Sequence, residues 1–351
     1  MRRITEGIDD SRLYRDLGNF ADMRKPLNQV MESYNASHQK EPLKLVLFDT
    51  APQHLVRLMR VIRNPRGHVL MMGMEGSGKR CIARLAAYTS GYLFFEITLK
   101  RAYSEDDFKE DIKQVYRLSC NNPVVFLLDD TLTKNEVFLE HISNMLNIGM
   151  IPSLFTKDER NELCNQFRDK FENEGNSNIW ECITENCNNN LHVILTMSQL
   201  GEKFRLKLRN FPSLISLCVI DWYHPWPEEA LRQVSKNFLL GDQQIKSDVL
   251  SNISNHMVFA HIAIAEASKL FREQAERAYI VTPKTYIHYI MVFKKQLRFA
   301  VSKVEKGVER LKNGLTKLSA ASSKVDELKA ELNKKRQSLM LKHKILKISS
   351  T

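Results

Sequence analysis

One stretch decides the fold of this 351-residue chain: His68-Val69-Leu70-Met71-Met72-Gly73-Met74-Glu75-Gly76-Ser77-Gly78-Lys79-Arg80, followed by Cys81-Ile82-Ala83-Arg84-Leu85-Ala86. It predicts a short apolar strand, a glycine-rich turn and an amphipathic helix. The three glycines let the backbone turn tightly and direct N–H groups inward, and a helix N-terminus attracts anions. Lys79 can reach outer phosphates as a mobile charge. A plain glycine turn with a solvated lysine is the alternative, and the spacing favours a phosphate-binding loop.

One position departs from that pattern. A Ser or Thr normally follows the Gly-Lys pair and coordinates Mg²⁺, whereas this chain has Arg80. Because an arginine side chain has no acceptor atom, it cannot bind a cation. Phosphate binding and competent hydrolysis are therefore separate predictions, and Arg80 weakens the second.

Two carboxylates end the next apolar run. Val124-Val125-Phe126-Leu127-Leu128 predicts a strand buried on both faces, and Asp129-Asp130 follows. With a phosphate loop upstream, Asp129 is expected to hold Mg²⁺ and Asp130 to orient the attacking water. Asp130 is one methylene shorter than the Glu usual at such a position, which makes it a poor base. The alternative is a strand end that caps a turn.

A third buried strand, Leu191 to Met197, ends at Ser198. Ser198 lies where a polar sensor would meet a γ-phosphate, although it could equally be a loop serine. A further strand is predicted from Leu214 to Ile220. Since helical patterns alternate with these strands, the fold class is α/β with a parallel sheet.

The amino-acid composition limits which classes of function are possible. The chain is 43% hydrophobic and 26% charged, has no apolar run of membrane-spanning length, and lacks an apolar core after Met1-Arg2-Arg3. The six cysteines are expected to be free thiols, as in a reducing compartment; Cys182, Cys187 and His192 match no common zinc spacing. The net charge of +11 arises in residues 294–351, which hold sixteen Lys and Arg against five Asp and Glu. A neutral remainder argues against a nucleic-acid groove.

Those C-terminal residues follow a heptad. One seam position is apolar throughout: Val304, Leu311, Leu318, Val325, Leu332, Leu339 and Leu346. The other turns polar halfway: Val301, Val308, Leu315, Ser322, Lys329, Arg336 and His343. This pattern predicts a coiled-coil strand whose seam weakens distally.

Several short stretches of sequence, taken in their order along the chain, resemble a dynein heavy chain. They include Pro65-Arg66-Gly67-His68-Val69-Leu70 into the loop, Arg209-Asn210-Phe211-Pro212-Ser213-Leu214, Ile220-Asp221-Trp222, Trp226-Pro227-Glu228-Glu229-Ala230-Leu231 and Thr282-Pro283-Lys284-Thr285-Tyr286. The likeness spans roughly residues 40–345. It is strongest to the fourth AAA+ module of an axonemal dynein and the start of the stalk behind it.

The resemblance implies roles by position. The Walker A loop would comprise Gly73, Met74, Glu75, Gly76, Ser77, Gly78, Lys79 and Arg80. Asp129 and Asp130 would end the Walker B strand, and Ser198 would be the first sensor. Arg205 and Arg209 would be fingers toward a neighbouring module's nucleotide, although their spacing alone also fits a solvated face. Glu75, Arg80 and Ser198 each depart from the active pattern, which implies a regulatory or structural site for ATP or ADP, with Mg²⁺ left open.

The resemblance also implies an organisation: a helical lead-in (1–44), a large α/β subdomain with the P-loop (45–222), a helical lid (223–293) and the start of the stalk coiled coil (294–351). The chain would be a fragment, a short isoform or a truncated product of such a heavy chain, and not an autonomous motor. It would contribute to minus-end-directed microtubule movement and ciliary movement, in the cytoplasm, cytoskeleton and cilium axoneme. Its partners would be other dynein modules, the returning stalk strand and, through the full motor, intermediate and light chains and microtubules. Nucleic acid and membrane are not expected partners.

Two other interpretations remain. A non-hydrolysing AAA+ structural or interaction protein would keep the fold without turnover. A nucleic-acid-acting AAA+ ATPase would use the basic tail, and the neutral globular part and the heptads count against it.

Overall fold

The computed structural model describes residues 20–39, 41–43, 50–100, 102–132, 135–171, 178–198, 202–242, 244–275, 277 and 279–348. They divide into two units: the described residues up to Leu240 together with Ser247–His288, and Gly241–Lys246 together with the described residues from Tyr289 onward. The apolar run Leu43–Phe48, which suits a short strand or a helix start, lies almost wholly outside the described residues, as do Leu13 and Leu17, which have helical spacing.

The first unit is built on a five-stranded sheet in which every pairing is parallel. The strands are β1 (His68–Gly73), β2 (Leu93–Glu96), β3 (Val124–Leu128), β4 (Leu191–Met197) and β5 (Cys218–Tyr223). Their order is β2-β3-β4-β1-β5. Strands β3 and β4 are buried along their whole length because helices cover both faces, which confirms the predicted α/β parallel sheet.

Twelve helices occur in the described part of the chain. They are α1 (Phe20–Ser37), α2 (Thr50–Ile62), α3 (Lys79–Ser90), α4 (Glu105–Ser119), α5 (Glu136–Ile148), α6 (Lys157–Phe171), α7 (Ile179–Asn190), α8 (Glu202–Asn210), α9 (Ser213–Ser216), α10 (Glu228–Leu239), α11 (Ser247–Ala275) and α12 (Pro283–Ile348). A capping box begins α4: Ser104 Oγ accepts from the Asp107 amide at 3.2 Å, and the Asp107 carboxylate accepts from the Ser104 amide at 2.9 Å.

Two apolar clusters cover the two faces of the sheet. On one face, Phe108 of α4 and Ile183 of α7 pack with Phe126. On the other face, Leu55 of α2 and Leu85 of α3 pack with Val125. Val125 and Phe126 are adjacent in β3, so their side chains point to opposite faces of the sheet. Helix α3 is thus fixed against the sheet from its first turn, which positions the loop before it.

The predicted strand from Leu214 to Ile220 is wrong in its first half. Residues Ser213–Ser216 form the short helix α9 after Pro212, and the strand runs from Cys218 to Tyr223. A short apolar run does not by itself distinguish a helical turn from a strand. Pairing with β1 decides the register, because Cys218 lies opposite His68. Helix α7 was not predicted.

After β5 the described chain is helical, as expected. Within the first unit, the fully buried Tyr286 at the start of α12 donates its hydroxyl to the Leu231 carbonyl of α10 at 3.0 Å. Tyr286 also lies against His261 of α11, with ring centroids 4.8 Å apart. The N-terminal turn of α12 is therefore anchored to α10 and α11.

The second unit contains most of α12. Its Asp242 carboxylate pairs with Arg298 at 3.1 Å and Lys294 at 3.5 Å. The apolar seam side chains from Val304 to Leu339 are exposed: Val304 is 64% and Leu311 70% accessible. No helix among the described residues is long and apolar enough to span a membrane.

Candidate functional site

The loop between β1 and α3 has the conformation that its glycines predict. Gly76 and Gly78 have φ of +80° and +95°, a backbone region that side-chain-bearing residues rarely adopt. Ser77 Oγ donates to the Met74 carbonyl at 2.9 Å, which tightens the turn. Gly78 is the N-cap of α3, so the amides of its first turn face the loop. Such an arrangement attracts an anion.

Lys79 is the first residue of α3 and only 7% exposed. Its Nζ donates to the carbonyls of Gly73 at 2.5 Å and Met74 at 3.1 Å. Burial lowers the pKa of the ammonium, and the negative charges of Asp130, Asp129 and Glu75 oppose that shift. The ammonium thus lies inside the loop, on the side where β1 ends.

The ends of β3 and β4 meet beside the loop. Thr196 Oγ1 donates to Asp129 Oδ1 at 3.1 Å. Ser198 hydrogen-bonds to Asp130, so the candidate sensor and the candidate base are in contact. Burial raises the pKa of Asp130 to about 6, Lys79 opposes that rise, and Asp129 adds to it. Thr196 is a site residue that the sequence reasoning missed, since it lay inside a strand with no polar pattern.

Arg80 contacts two carboxylates at the strand ends beside the loop. Its guanidinium contacts the Asp129 carboxylate through Nη2 and the Glu96 carboxylate through Nε at 3.1 Å. Glu96 also pairs with Arg84 at 2.7 Å, and Arg84 pairs with Glu41 at 2.7 Å. We call these five residues the Asp129–Glu41 ion-pair chain. It borders a cavity of about 750 Å³ that lies along β2.

The tip of the loop touches the start of α12. The Lys284 ammonium pairs with Glu75 at 2.5 Å, and both side chains are exposed. A Cβ built on Gly76 would lie 2.5–2.8 Å from the Cβ, N and Cα of Lys284, so only glycine fits at this contact. No functional role of Lys284 could be predicted from the sequence, because the contact joins residues 209 positions apart in the chain.

A second pocket lies on the other side of the loop. It measures about 110 Å³, and its lining includes Ser77, Ile82 and Trp226. His54 and Tyr223 form one wall, with stacked rings 4.0 Å apart. The fully buried Asp221 holds His54 Nδ1 at 2.9 Å and Arg57 Nη1 at 2.5 Å. We call it the stacked-ring pocket. Sequence reasoning missed it, although the aromatic and proline residues after β5 were a signal.

Arg205 and Arg209 lie on exposed faces of α8, and neither contacts the loop among the described side chains. Cys187 is buried and Cys182 partly so, and neither forms a disulfide. In the part of the chain that the structure describes, no three His, Cys, Asp or Glu side chains are grouped closely enough to hold a metal ion.

Comparison with known proteins identifies the likeness. Residues 43–296 match the family described as the P-loop containing dynein motor region D4. The chain is 38% identical over 334 residues to the Dynein-1-alpha heavy chain of the flagellar inner arm I1 complex of Chlamydomonas reinhardtii, covering 93% of this chain. It is 36% identical over 329 residues to Dynein axonemal heavy chain 10 of Homo sapiens, covering 92%. The chain spans 7% of the length of each of these relatives.

Proposed function

Because this chain belongs to the dynein heavy-chain family, in which it corresponds to the P-loop motor region D4, we propose that it forms a nucleotide-binding AAA+ ring module and the base of a stalk in an axonemal dynein. In the whole motor this segment contributes to minus-end-directed microtubule movement and ciliary beating. It acts at the cytoskeleton of the axoneme.

The observation that carries the nucleotide proposal is the loop itself, with two glycines at positive φ before α3 and the Lys79 ammonium inside the turn. ATP or ADP is the ligand, with its phosphates at residues Gly73 to Arg80 and its terminal phosphate toward Ser198. The stacked-ring pocket borders Ser77 and offers aromatic faces to a base. It is therefore the proposed base site.

Partners follow from the same premise. Exposed Arg205 and Arg209 are proposed to reach the nucleotide of a neighbouring AAA+ module. The apolar seam of α12 is proposed to pack against the returning stalk strand, and microtubules and the intermediate and light chains join through the full motor. The proposed boundaries are 1–44 for the lead-in, 45–222 for the α/β subdomain, 223–293 for the lid and 294–351 for the stalk.

A non-hydrolysing module is favoured over an ATPase by one contact. Arg80 contacts Asp129, the carboxylate that would otherwise hold Mg²⁺, and Asp130 is short for a base. We expect the purified chain to bind ATP with little or no turnover, since an arginine finger from a neighbour is also needed and contributes about 10³–10⁵ in related NTPases. Steady-state phosphate release measures this. Turnover near one per second by the monomer, a rate at the lower end of that for competent enzymes, would contradict the proposal.

The stalk proposal predicts a gradient of amide exchange along α12. Seam residues from Val304 to Leu339 are exposed. From about Val325 onward, Lys329, Arg336 and His343 occupy the second seam position. We expect fast exchange beyond Val325 in a dilute solution of this chain, because a heptad seam buries its apolar positions only against a partner helix. Amides of the buried strand β3 are the slow reference. Strong protection through Leu346 in the monomer would mean that this chain already satisfies its own seam.

A further inference from the structure

Magnesium does not fit the residues beside the loop. Mg²⁺ takes six oxygen ligands in near-octahedral geometry, and a P-loop usually offers it a hydroxyl from the residue after the lysine and a carboxylate from the neighbouring strand. Here Arg80 supplies no oxygen, and its guanidinium contacts the Asp129 carboxylate. A dication at this place would meet a fixed positive charge and would have to displace Arg80 from Asp129.

We propose that Arg80 takes the place of the divalent cation, so that this site binds a nucleoside di- or triphosphate without Mg²⁺. The inference rests on the proposed nucleotide site and adds which cation neutralises the phosphates. A guanidinium is suited to that role because it stays charged and matches phosphate oxygens with two parallel N–H groups.

The position of Arg80 supports this role. It is the second residue of α3, directly after Lys79, so its side chain leaves the helix where a magnesium-binding hydroxyl would. Its contacts among the described residues use Nε and Nη2, which leaves the N–H donors of Nη1 for a phosphate. The side chain is 49% accessible, so a ligand in the loop can reach it.

Two anchors hold the guanidinium beside the loop. Thr196 donates to Asp129, and Arg84 pairs with Glu96, so the two carboxylates that contact Arg80 are themselves fixed. Both carboxylates are largely shielded, at 27% and 18% accessible, so solvent screens these ion pairs less than pairs at the open surface.

Charge balance at the loop leads to the same assignment. Lys284 offsets Glu75, and Arg80 offsets Asp129, each by direct contact. Lys79, whose ammonium also feels the charge of Asp130, then faces the phosphates with the amides of α3 and the Nη1 group of Arg80. Without Arg80, the negative charge of Asp129 would face a polyphosphate and oppose its binding.

The test is a titration of the 351-residue chain with N-methylanthraniloyl-ADP and N-methylanthraniloyl-ATP, once in excess MgCl₂ and once in EDTA. We expect the two dissociation constants to agree within about twofold. In Arg80→Thr, a hydroxyl is supplied and Asp129 is released, so binding should become at least about tenfold weaker in EDTA than in MgCl₂.

Arg117→Thr is the matched control. Arg117 lies on α4 and pairs with Glu159 at 3.9 Å, and its side chain is 50% accessible, as exposed as that of Arg80. This variant should stay as insensitive to EDTA as the original chain. If Arg80→Thr bound nucleotide equally well in EDTA and in MgCl₂, the proposed role of Arg80 would be overturned, even if the original chain also bound equally well in both buffers.

The titration also separates the two proposals. Tenfold weaker binding by the original chain in EDTA would overturn the inference and leave the nucleotide site intact. Absence of binding in both buffers would overturn the nucleotide site, and the inference with it. Should Arg80→Thr bind in neither buffer, the original chain decides alone: agreement between its two constants supports the proposal, and a tenfold loss in EDTA refutes it.

Discussion

Lys79→Ala is expected to weaken nucleotide binding at least about a hundredfold, which corresponds to about 3 kcal/mol. The variant removes the ammonium that lies inside the loop, bonded to the Gly73 and Met74 carbonyls. Without it those two oxygens would face the phosphates, and their negative ends would repel the ligand. Fluorescent-nucleotide titration and isothermal calorimetry measure the loss.

Lys109→Ala is the control for charge alone. Lys109 lies on α4, where its ammonium pairs with Glu105 at 2.7 Å on the surface. The Lys109→Ala variant loses one positive charge, as Lys79→Ala does, but at a surface ion pair on α4. Its affinity for nucleotide should therefore stay within about twofold of that of the original chain. If Lys79→Ala bound ATP as tightly as this control, the loop would not be the phosphate site.

Gly76→Ala is expected to lower the free energy of unfolding by about 3 kcal/mol. The new Cβ would lie within 2.5–2.8 Å of Lys284 backbone and Cβ atoms, and the residue would keep a φ of +80° that alanine disfavours. Either the loop or the first turn of α12 must move, and Tyr286 ties that turn to the Leu231 carbonyl of α10. Urea unfolding followed by circular dichroism measures the change.

Gly91→Ala is the control that separates the cost of backbone strain at positive φ from the cost of the collision with Lys284. Gly91 has φ +74° at the C-terminus of α3, and no atom lies within 4 Å of the Cβ it would gain. It therefore carries the same backbone penalty, about 1–2 kcal/mol, without the collision. Equal destabilisation in both variants would show that the loop tip and the start of α12 are not in close contact in solution.

The sheet could be predicted from the sequence because its signals are local. Continuous apolar runs indicated β1, β3 and β4, and the glycine spacing indicated the loop whose positive φ angles the structure shows. The heptad of α12 was equally plain, since its period repeats over many turns. Helix α9 was mistaken for a strand because four residues carry too little periodicity.

The site was only partly predictable, for a physical reason. From its residue type, Arg80 could be excluded as a metal ligand, but nothing local indicated that it would contact Asp129, 49 residues away. The same holds for Lys284 on Glu75 and for His54 on Asp221. Each contact depends on which strands lie side by side, and strand order follows from packing of the whole sheet, not from any one segment.

The position of β1 within the sheet bears on how the protein folds. Val69 of β1 pairs with Ile194 on one side and Val219 on the other, so both neighbours are synthesised much later than the strand they flank. Contacts so distant in sequence form slowly, because a long loop of chain must close first. On the ribosome, β1 is therefore made before the other four described strands, and its second partner, β5, is the last of them to be made. Until residue 223 has emerged, the unpaired edges of β1 are open to aggregation. Protection of the nascent chain by a chaperone matters most in this interval.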